Sequence, residues 1–237
     1  PSTPGISRLM VSISSIAALA RWPGVMPVRA DAVGWMGVIG ASMMLWGMLA
    51  ASGADRISQV ARGVWVGTVG LLLVQIATHQ PQVMLLTAAA LIAPIGLTLV
   101  ARSIERRFGH DDLRRLGGLS SVMPALMEVG LPAGFLAASA PGSPGFAATL
   151  ATMIGSARVI EGAPGVIILA LIALGYVVQT LAIVRMTRLC FFGPRPVEDA
   201  RQHPSDLRWW ETAGVSILLA IALIAGLMPA LVLLPGS

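Results

Sequence analysis

Long apolar runs constrain this chain more than any other feature. Of its 237 residues, 56% are hydrophobic and 11% are charged, whereas soluble domains carry roughly 25% charged residues. A helix that crosses the hydrocarbon core of a bilayer needs about 20 apolar residues. A shorter, more polar run at 6–20 precedes seven clear ones: 32–52, 58–77, 81–101, 120–139, 145–160, 164–189 and 212–234. The sequence therefore predicts an all-α integral membrane protein of about eight transmembrane helices.

Prolines and glycines interrupt several of these runs. Pro94 lies inside the third clear run, Pro124 and Pro132 lie inside the fourth, and a stretch rich in proline and glycine, 140–145, separates the fourth from the fifth. A proline in a helix leaves a backbone carbonyl without its donor, and hydrocarbon cannot supply another. Broken helices line ion and substrate pathways in transporters, although simple kinks are also common in membrane helices. Both interpretations stay open.

Two polar stretches, 102–115 and 193–208, separate groups of runs. Three predicted spans lie between them, so we expect them on opposite sides of the membrane. Alternate loops then hold 9 and 7 of the 16 arginines, and this near balance predicts no orientation.

The predicted segments are a short or truncated first helix with its loop (1–31), a three-helix segment (32–101), a polar loop (102–119), a broken-helix segment with a long helix (120–192), a second polar loop (193–211) and a C-terminal helix (212–237).

Every one of the 16 basic residues is arginine, and the chain contains no lysine. Arginine does not lose its proton in proteins, so a proton relay through buried amines has no residue to use. The net charge of +5 is spread over loops, where arginines set topology and meet lipid head groups, and we expect no nucleic-acid partner. Cys190 is the single cysteine and the three histidines are scattered, which predicts no disulfide, metal site or cofactor.

Four motifs follow one another in a fixed order and spacing. They are an acidic, basic, Gly-Gly-Leu motif at 112–119, a Pro-Gly-Ser break at 141–146, an Arg and Phe-Gly-Pro motif at 188–194, and an Asp-Leu motif closed by Glu at 206–211. Their signature residues are Asp112, Gly117, Gly118, Pro141, Gly142, Phe192, Gly193 and Pro194. This pattern resembles the antiporter-like membrane subunits of respiratory NADH:quinone oxidoreductase, complex I, a family shared with multisubunit sodium/proton antiporters. It is most similar to the C-terminal half of subunit M, also called chain 4.

The resemblance implies half of a 14-helix subunit, and the titratable residues of that family are missing. One family lysine corresponds to Ser12, Ser14 or Ser15, and a second corresponds to Asp55. The family's histidines correspond to Trp65 and to Ala89 or Ala90, and its acid after the Pro-Gly break corresponds to Thr149. Replacement of lysine by arginine in a GC-rich genome does not explain these changes, since none of the positions holds arginine. We therefore favour a degenerate, non-pumping paralogue as the interpretation, rather than an active half-channel.

Glu128 is the one acid well inside an apolar run, and it has a proline on either side. Burial in a low dielectric would make it a candidate proton site. Alternatively it supports the backbone freed at Pro132, or it meets an arginine of a neighbouring chain.

Glycines three or four residues apart also mark the first two clear runs and predict close helix packing, inside the bundle or against a partner: Gly34, Gly37, Gly40 and Gly47, then Gly63, Gly67 and Gly70.

These observations predict a structural or accessory membrane subunit of a larger energy-converting complex, without catalytic residues of its own. One alternative is an active proton- or sodium-translocating half-subunit of an oxidoreductase or antiporter. Another is a recruited membrane partner in a photosynthetic or inorganic-carbon uptake complex. The resemblance implies a bacterial inner membrane, with lipid and other membrane subunits as partners. Because the chain starts at Pro1 without an initiator methionine, we expect a processed, split or partial product.

Overall fold

The computed structural model describes residues 30–160, 162–193 and 206–228, and its regular structure there is helical apart from one isolated bridge. The helices are α1 (Ala30–Ser52), α2 (Ile57–Ala77), α3 (Pro81–Ala90), α4 (Ile92–Phe108), α5 (Leu119–Val122), α6 (Pro124–Ala137), α7 (Pro144–Val159), α8 (Ala163–Thr187), continued by a π-helical turn (Arg188–Phe192), and α9 (Trp209–Leu227). Five helical stretches are long and apolar enough to cross a membrane. Within the described residues each of the seven clear apolar runs forms helix, which confirms the predicted fold class. The candidate helix 6–20 lies outside the described residues.

Proline and glycine set the helix boundaries. α3, α6, α7 and α8 each carry a proline in the first two positions, where its missing N–H costs nothing and its fixed φ suits the helix. α4 continues to Phe108, into the stretch that the sequence assigned to the polar loop. Gly109, which adopts φ +77°, caps its end.

α1 and α2 pack with their backbones almost touching. A methyl group added at Gly47 would lie 2.6 Å from the backbone nitrogen of Gly67, and one added at Gly63 would lie 2.6 Å from the carbonyl of Gly47. The glycine pattern thus joins two helices of the same chain, since only small residues permit this approach.

α6 and α7 form the two halves of one crossing. α6 lies along α4, where Ala133 faces Gly96, and α7 lies along α3. Because α3 and α4 together make one apolar stretch of 28 residues, their two antiparallel neighbours make one return crossing. α6 has 14 residues and α7 has 16, so each alone is short of the length a span requires.

This pairing places the two polar stretches at the same end of the bundle. Arg107 Nη2 lies 2.8 Å from Glu211 Oε2, and the Asp206 carboxylate accepts the backbone N–H groups of Ala125 and Leu126 at 2.8 and 3.2 Å. The expectation of opposite sides was wrong, because it counted the halves of the broken helix as two crossings.

The arginines are concentrated at this end, which we call the arginine-rich end. There α1, α4 and α8 finish and α2, α6 and α9 begin. Of the 11 arginines among the described residues, Arg158 lies near the opposite end and the other 10 lie at or near the arginine-rich end: Arg56, Arg62, Arg102, Arg106, Arg107, Arg114, Arg115, Arg185, Arg188 and Arg208. Such an excess marks the cytoplasmic side of membrane proteins.

We therefore predict that the arginine-rich end faces the cytoplasm. Arg115 and Arg158 are both exposed and provide matched labelling positions in a Cys190→Ser background. A membrane-impermeant maleimide should label Arg115→Cys in inverted vesicles and Arg158→Cys in right-side-out vesicles. Labelling of Arg158→Cys in inverted vesicles and of Arg115→Cys in right-side-out vesicles would contradict the assignment.

Candidate functional site

The interior of the bundle is polar but uncharged near the break between α6 and α7. Among the described residues Asp111 is the one buried charged side chain, and it lies in the loop at the arginine-rich end. The other buried polar residues are Thr68, Gln75, Thr78, Thr87, Ser139, Ser143, Thr149, Thr152, Ser156 and Gln179. Most of these side chains are contributed by α2, α7 and the break itself.

Gln75 ties three helices together. Its amide nitrogen donates to Thr87 Oγ1 at 2.6 Å and to Thr152 Oγ1 at 2.8 Å, and all three side chains are fully buried. Thr152 also donates to the Ala148 carbonyl at 2.6 Å. Buried polar groups need such partners because an unsatisfied one is costly in a low dielectric. The network links α2, α3 and α7 without a charge.

The break between α6 and α7 is held by side chains of α8. Gln179 Nε2 donates to the Ala137 carbonyl at 2.6 Å and to Ser139 Oγ at 3.1 Å. Tyr176 donates to the Ser139 carbonyl at 3.2 Å, and Thr180 reaches the Ala138 carbonyl at 3.4 Å. Ser139 itself adopts φ +50°, which is strained for a residue other than glycine.

These bonds satisfy the break from within the chain. The carbonyls at 137–139 receive their donors from this chain's own side chains, so at these positions the break does not depend on another polypeptide. Gln179 lies about halfway along the apolar stretch Ala163–Phe192, so the break sits near the middle of the bilayer. There the carbonyls at 137–139 face side chains of α8, as irregular backbone inside a membrane requires.

Two predicted relay positions, Thr149 and Ala90, lie beside this break. Thr149 is buried and donates to the Gly145 carbonyl at 2.8 Å. Both residues line a cavity of about 10 Å³ together with Thr68, Ser139 and Gln179. That volume approaches the minimum for one water molecule. The hydroxyl and amide groups here can hold hydrogen bonds but cannot carry a charge at neutral pH.

The other predicted relay positions are scattered. Asp55 lies at the arginine-rich end, Trp65 packs beside an apolar cluster that includes Leu72 and Met84, and Ala89 is half-buried on α3. Ser12, Ser14 and Ser15 lie outside the described residues. The structure therefore brings Thr149 and Ala90 to one small cavity and leaves Asp55, Trp65 and Ala89 outside it.

Asp55 belongs to an ionic cluster that closes the arginine-rich end. Its Oδ1 lies 3.0 Å from Arg114 Nε and 3.7 Å from Arg185 Nη2. Arg185 also donates to the carbonyls of Ser52 and Ala54 at 2.7 and 3.0 Å, and the carboxylate of Asp111 accepts the Ser58 N–H at 3.0 Å. A carboxylate at a helix start and a cation at a helix end match the helix dipole. The cluster is structural.

The signature residues of the first motif shape this same end. Asp112 Oδ1 accepts the Arg114 N–H at 2.9 Å, and the backbone of Asp112 forms the isolated bridge with Arg56. Gly117 is buried beside it, and Gly118 begins α5 with φ +61°. The motif contacts the loop between α1 and α2, and its spacing gave no indication of that contact.

The remaining signature residues lie at turns. Pro141 and Gly142 lie in the break, where Gly142 adopts φ +90°. Phe192 ends the π-helical turn of α8, and Gly193 follows it. A methyl group on Gly193 would meet the Leu189 carbonyl at 2.7 Å. Pro194 lies outside the described residues.

Glu128 is exposed and lines a groove formed by α6, α8 and α9. The described helices therefore do not bury it, and its role as a proton site stays a prediction.

Sequence reasoning missed Gln75 and Gln179, the two amides that organise the interior. Both stand alone inside apolar runs, and a lone polar residue in a membrane helix is a signal for a buried partner. The partners themselves are far away in sequence.

The fold and interior define an all-α membrane protein with a discontinuous helix held by polar side chains. This fold occurs in solved membrane complexes. A chain of respiratory complex I from Thermus thermophilus is 20% identical, with TM-score 0.74 over 85% of this chain and 42% of that one. A chain of the Mrp complex from Dietzia sp. DQ12-45-1b is also 20% identical, with TM-score 0.69 over 84% of this chain and 45% of that one.

A third similar structure is a chain of the membrane-bound sulfane sulfur reductase, an archaeal respiratory membrane complex. It is 19% identical, with TM-score 0.60, over 81% of this chain and 32% of that one. Our chain spans less than half the length of each of these three neighbours. The sequence matches no protein-family model and no curated protein. These comparisons show the fold.

We predict that Gln179→Leu destabilises the chain more than Gln75→Leu. Gln179→Leu removes the amide that donates to the buried Ala137 carbonyl at the break. Leaving this carbonyl without its donor costs about 1–3 kcal/mol. After Gln75→Leu, Thr152 still donates to Ala148, so the cost should be nearer ~0.6 kcal/mol, an average for bonds between membrane helices.

The buried thiol of Cys190 provides the measurement. A maleimide mass tag should reach Cys190 at a lower temperature in Gln179→Leu membranes than in Gln75→Leu or unmodified membranes. Equal shifts for the two variants would show that the break does not depend on Gln179.

Proposed function

We propose that this chain is a membrane subunit of a larger energy-converting complex, related to proton-translocating subunits but serving a structural or accessory role. The shared fold with chains of complex I, the Mrp complex and the sulfane sulfur reductase complex supports the membrane-subunit part. The uncharged interior supports the accessory part.

The neutral core is the observation that carries the proposal. A membrane proton relay needs groups that gain and lose a charge in series, and such groups are rare and functional inside membranes. Along the interior of the described helices, Gln75, Thr87, Thr152 and Gln179 fill the polar positions with groups that do not titrate near neutral pH. The charged residues that interact with one another lie at the arginine-rich end.

The ionic cluster at that end gives the subunit a mechanical role. Arg185 joins α8 to the end of α1, Asp111 joins the loop before α5 to the start of α2, and Arg107 joins α4 to α9. These bonds fix the helices relative to one another. A rigid block of this kind suits a spacer or scaffold between other membrane subunits.

We expect membrane vesicles that contain this chain to show no uncoupler-sensitive proton flux and no sodium/proton exchange above empty vesicles. Asp55→Lys and Thr149→Glu, made singly, should not create flux, because a relay needs several titratable sites in series. The vesicles are loaded with a pH-sensitive dye, and a working antiporter in parallel vesicles is the control. Clear exchange by the unmodified chain would favour the active half-subunit instead.

We also expect the chain to migrate with other membrane subunits after mild detergent extraction. α9 leaves large apolar side chains exposed over most of its length, with Ile217 62% and Leu227 63% exposed. Blue native electrophoresis followed by mass spectrometry would identify the co-migrating chains. Respiratory subunits among them would support the present proposal, and photosynthetic or carbon-uptake subunits would support a recruited partner. A stable, monodisperse monomer would contradict both.

A further inference from the structure

A deep groove opens on the membrane-facing side of the bundle between α8 and α9. Both helices pack against α6, which forms the floor. The groove has a volume of about 1130 Å³, and its walls are mainly apolar, with Pro132, Phe135 and Leu223 among the residues that line it. An apolar groove of this size in a membrane protein is filled either by lipid or by another helix.

The length of the groove matches one leaflet of the bilayer. Along α9 it runs from Ser216, in the first half of the helix, to Leu227, which lies 3.3 Å from the Cβ position of Gly142 at the break. Eleven residues of helix rise about 16 Å, and half of the hydrocarbon core is about 15 Å thick. The groove therefore extends from one surface to about the middle of the membrane.

Two opposite charges line the groove near its outer end. Glu128 and Arg188 are both exposed, and neither side chain makes a hydrogen bond or ion pair with another described residue. They also do not pair with each other. Pro132 lacks the N–H that would bond the Glu128 carbonyl in a regular helix, so Glu128 offers a carboxylate and a carbonyl without its usual helical donor. Charges placed in an apolar wall normally have partners.

We propose that this groove binds a phospholipid with a primary-amine head group, such as phosphatidylethanolamine. Its acyl chains lie along the groove and its phosphate bonds the guanidinium of Arg188. Its ammonium bonds the carboxylate and carbonyl of Glu128. One cation and one anion on the protein match one phosphate and one ammonium on the lipid, through charge-assisted hydrogen bonds.

The head-group chemistry separates this lipid from the common alternatives. Phosphatidylcholine has the same phosphate, but its methylated amine has no N–H to donate. Phosphatidylglycerol lacks the cation and leaves Glu128 without a partner. The structure therefore predicts selectivity at the head group rather than general retention of lipid by an apolar surface.

The test measures lipids retained by the purified native assembly after equilibration with equal amounts of phosphatidylethanolamine, phosphatidylcholine and phosphatidylglycerol. Mass spectrometry counts each lipid per chain. Phosphatidylethanolamine should be enriched, and Glu128→Gln or Arg188→Gln should each reduce its retention about fivefold, the effect of roughly one surface charge contact. Glu105→Gln and Arg102→Gln are the matched controls, because both residues are exposed at the same end on α4.

A second pair of variants tests the groove itself. Ala220→Trp fills it, whereas Ile221→Trp places the same bulk on an exposed face of α9 outside it. Retention should fall with the first and stay unchanged with the second. A photo-crosslinking residue at position 220 should capture lipid.

Three results would overturn the proposal. They are equal retention of the three lipids, equal losses in the control and groove variants, or capture of a polypeptide at position 220. Loss of ion flux in Glu128→Gln with unchanged lipid retention would also overturn it and assign Glu128 to proton transfer.

Discussion

The hydrogen bonds from α8 to the break between α6 and α7 are the interactions on which the rest of the structure depends. Backbone groups inside hydrocarbon must be satisfied by protein, and the carbonyls of Ala137, Ala138 and Ser139 receive their donors from Gln179, Thr180 and Tyr176. These bonds permit a helix to be interrupted near the middle of the membrane. They also keep α6 and α7 on one crossing, which decides where every later segment lies.

The number of crossings decides the distribution of charge. With α6 and α7 on one crossing, the two polar stretches meet, and Arg107 pairs with Glu211. Ten of the 11 arginines in the described part of the chain then gather at or near one end. This asymmetry orients the molecule, and it concentrates the ion pairs away from the interior. A neutral core and a charged end follow from the same topology.

The interior of the bundle and its outer groove suggest different tasks. Inside the described helices, the buried polar groups are amides and hydroxyls, which do not titrate near neutral pH, and their bonds link the helices to one another. Outside, Glu128 and Arg188 line an apolar groove, and neither side chain pairs with another residue of the described part of the chain. On this view the ionisable groups of the membrane region interact with lipid rather than with transported ions, as suits a subunit that supports its neighbours.

Composition and the placement of proline determined the fold class, the helical segments and most of their ends, because apolar length and the missing N–H of proline act locally. The sequence motifs also pointed to the fold that the structural comparisons show. Tertiary structure decided the rest. Whether 120–139 and 145–160 cross the membrane once or twice depends on their packing against α4 and α3, and the exposure of Glu128 depends on the gap between α8 and α9. Gln75 and Gln179 acquire their partners only when distant helices meet, so no local pattern could assign them.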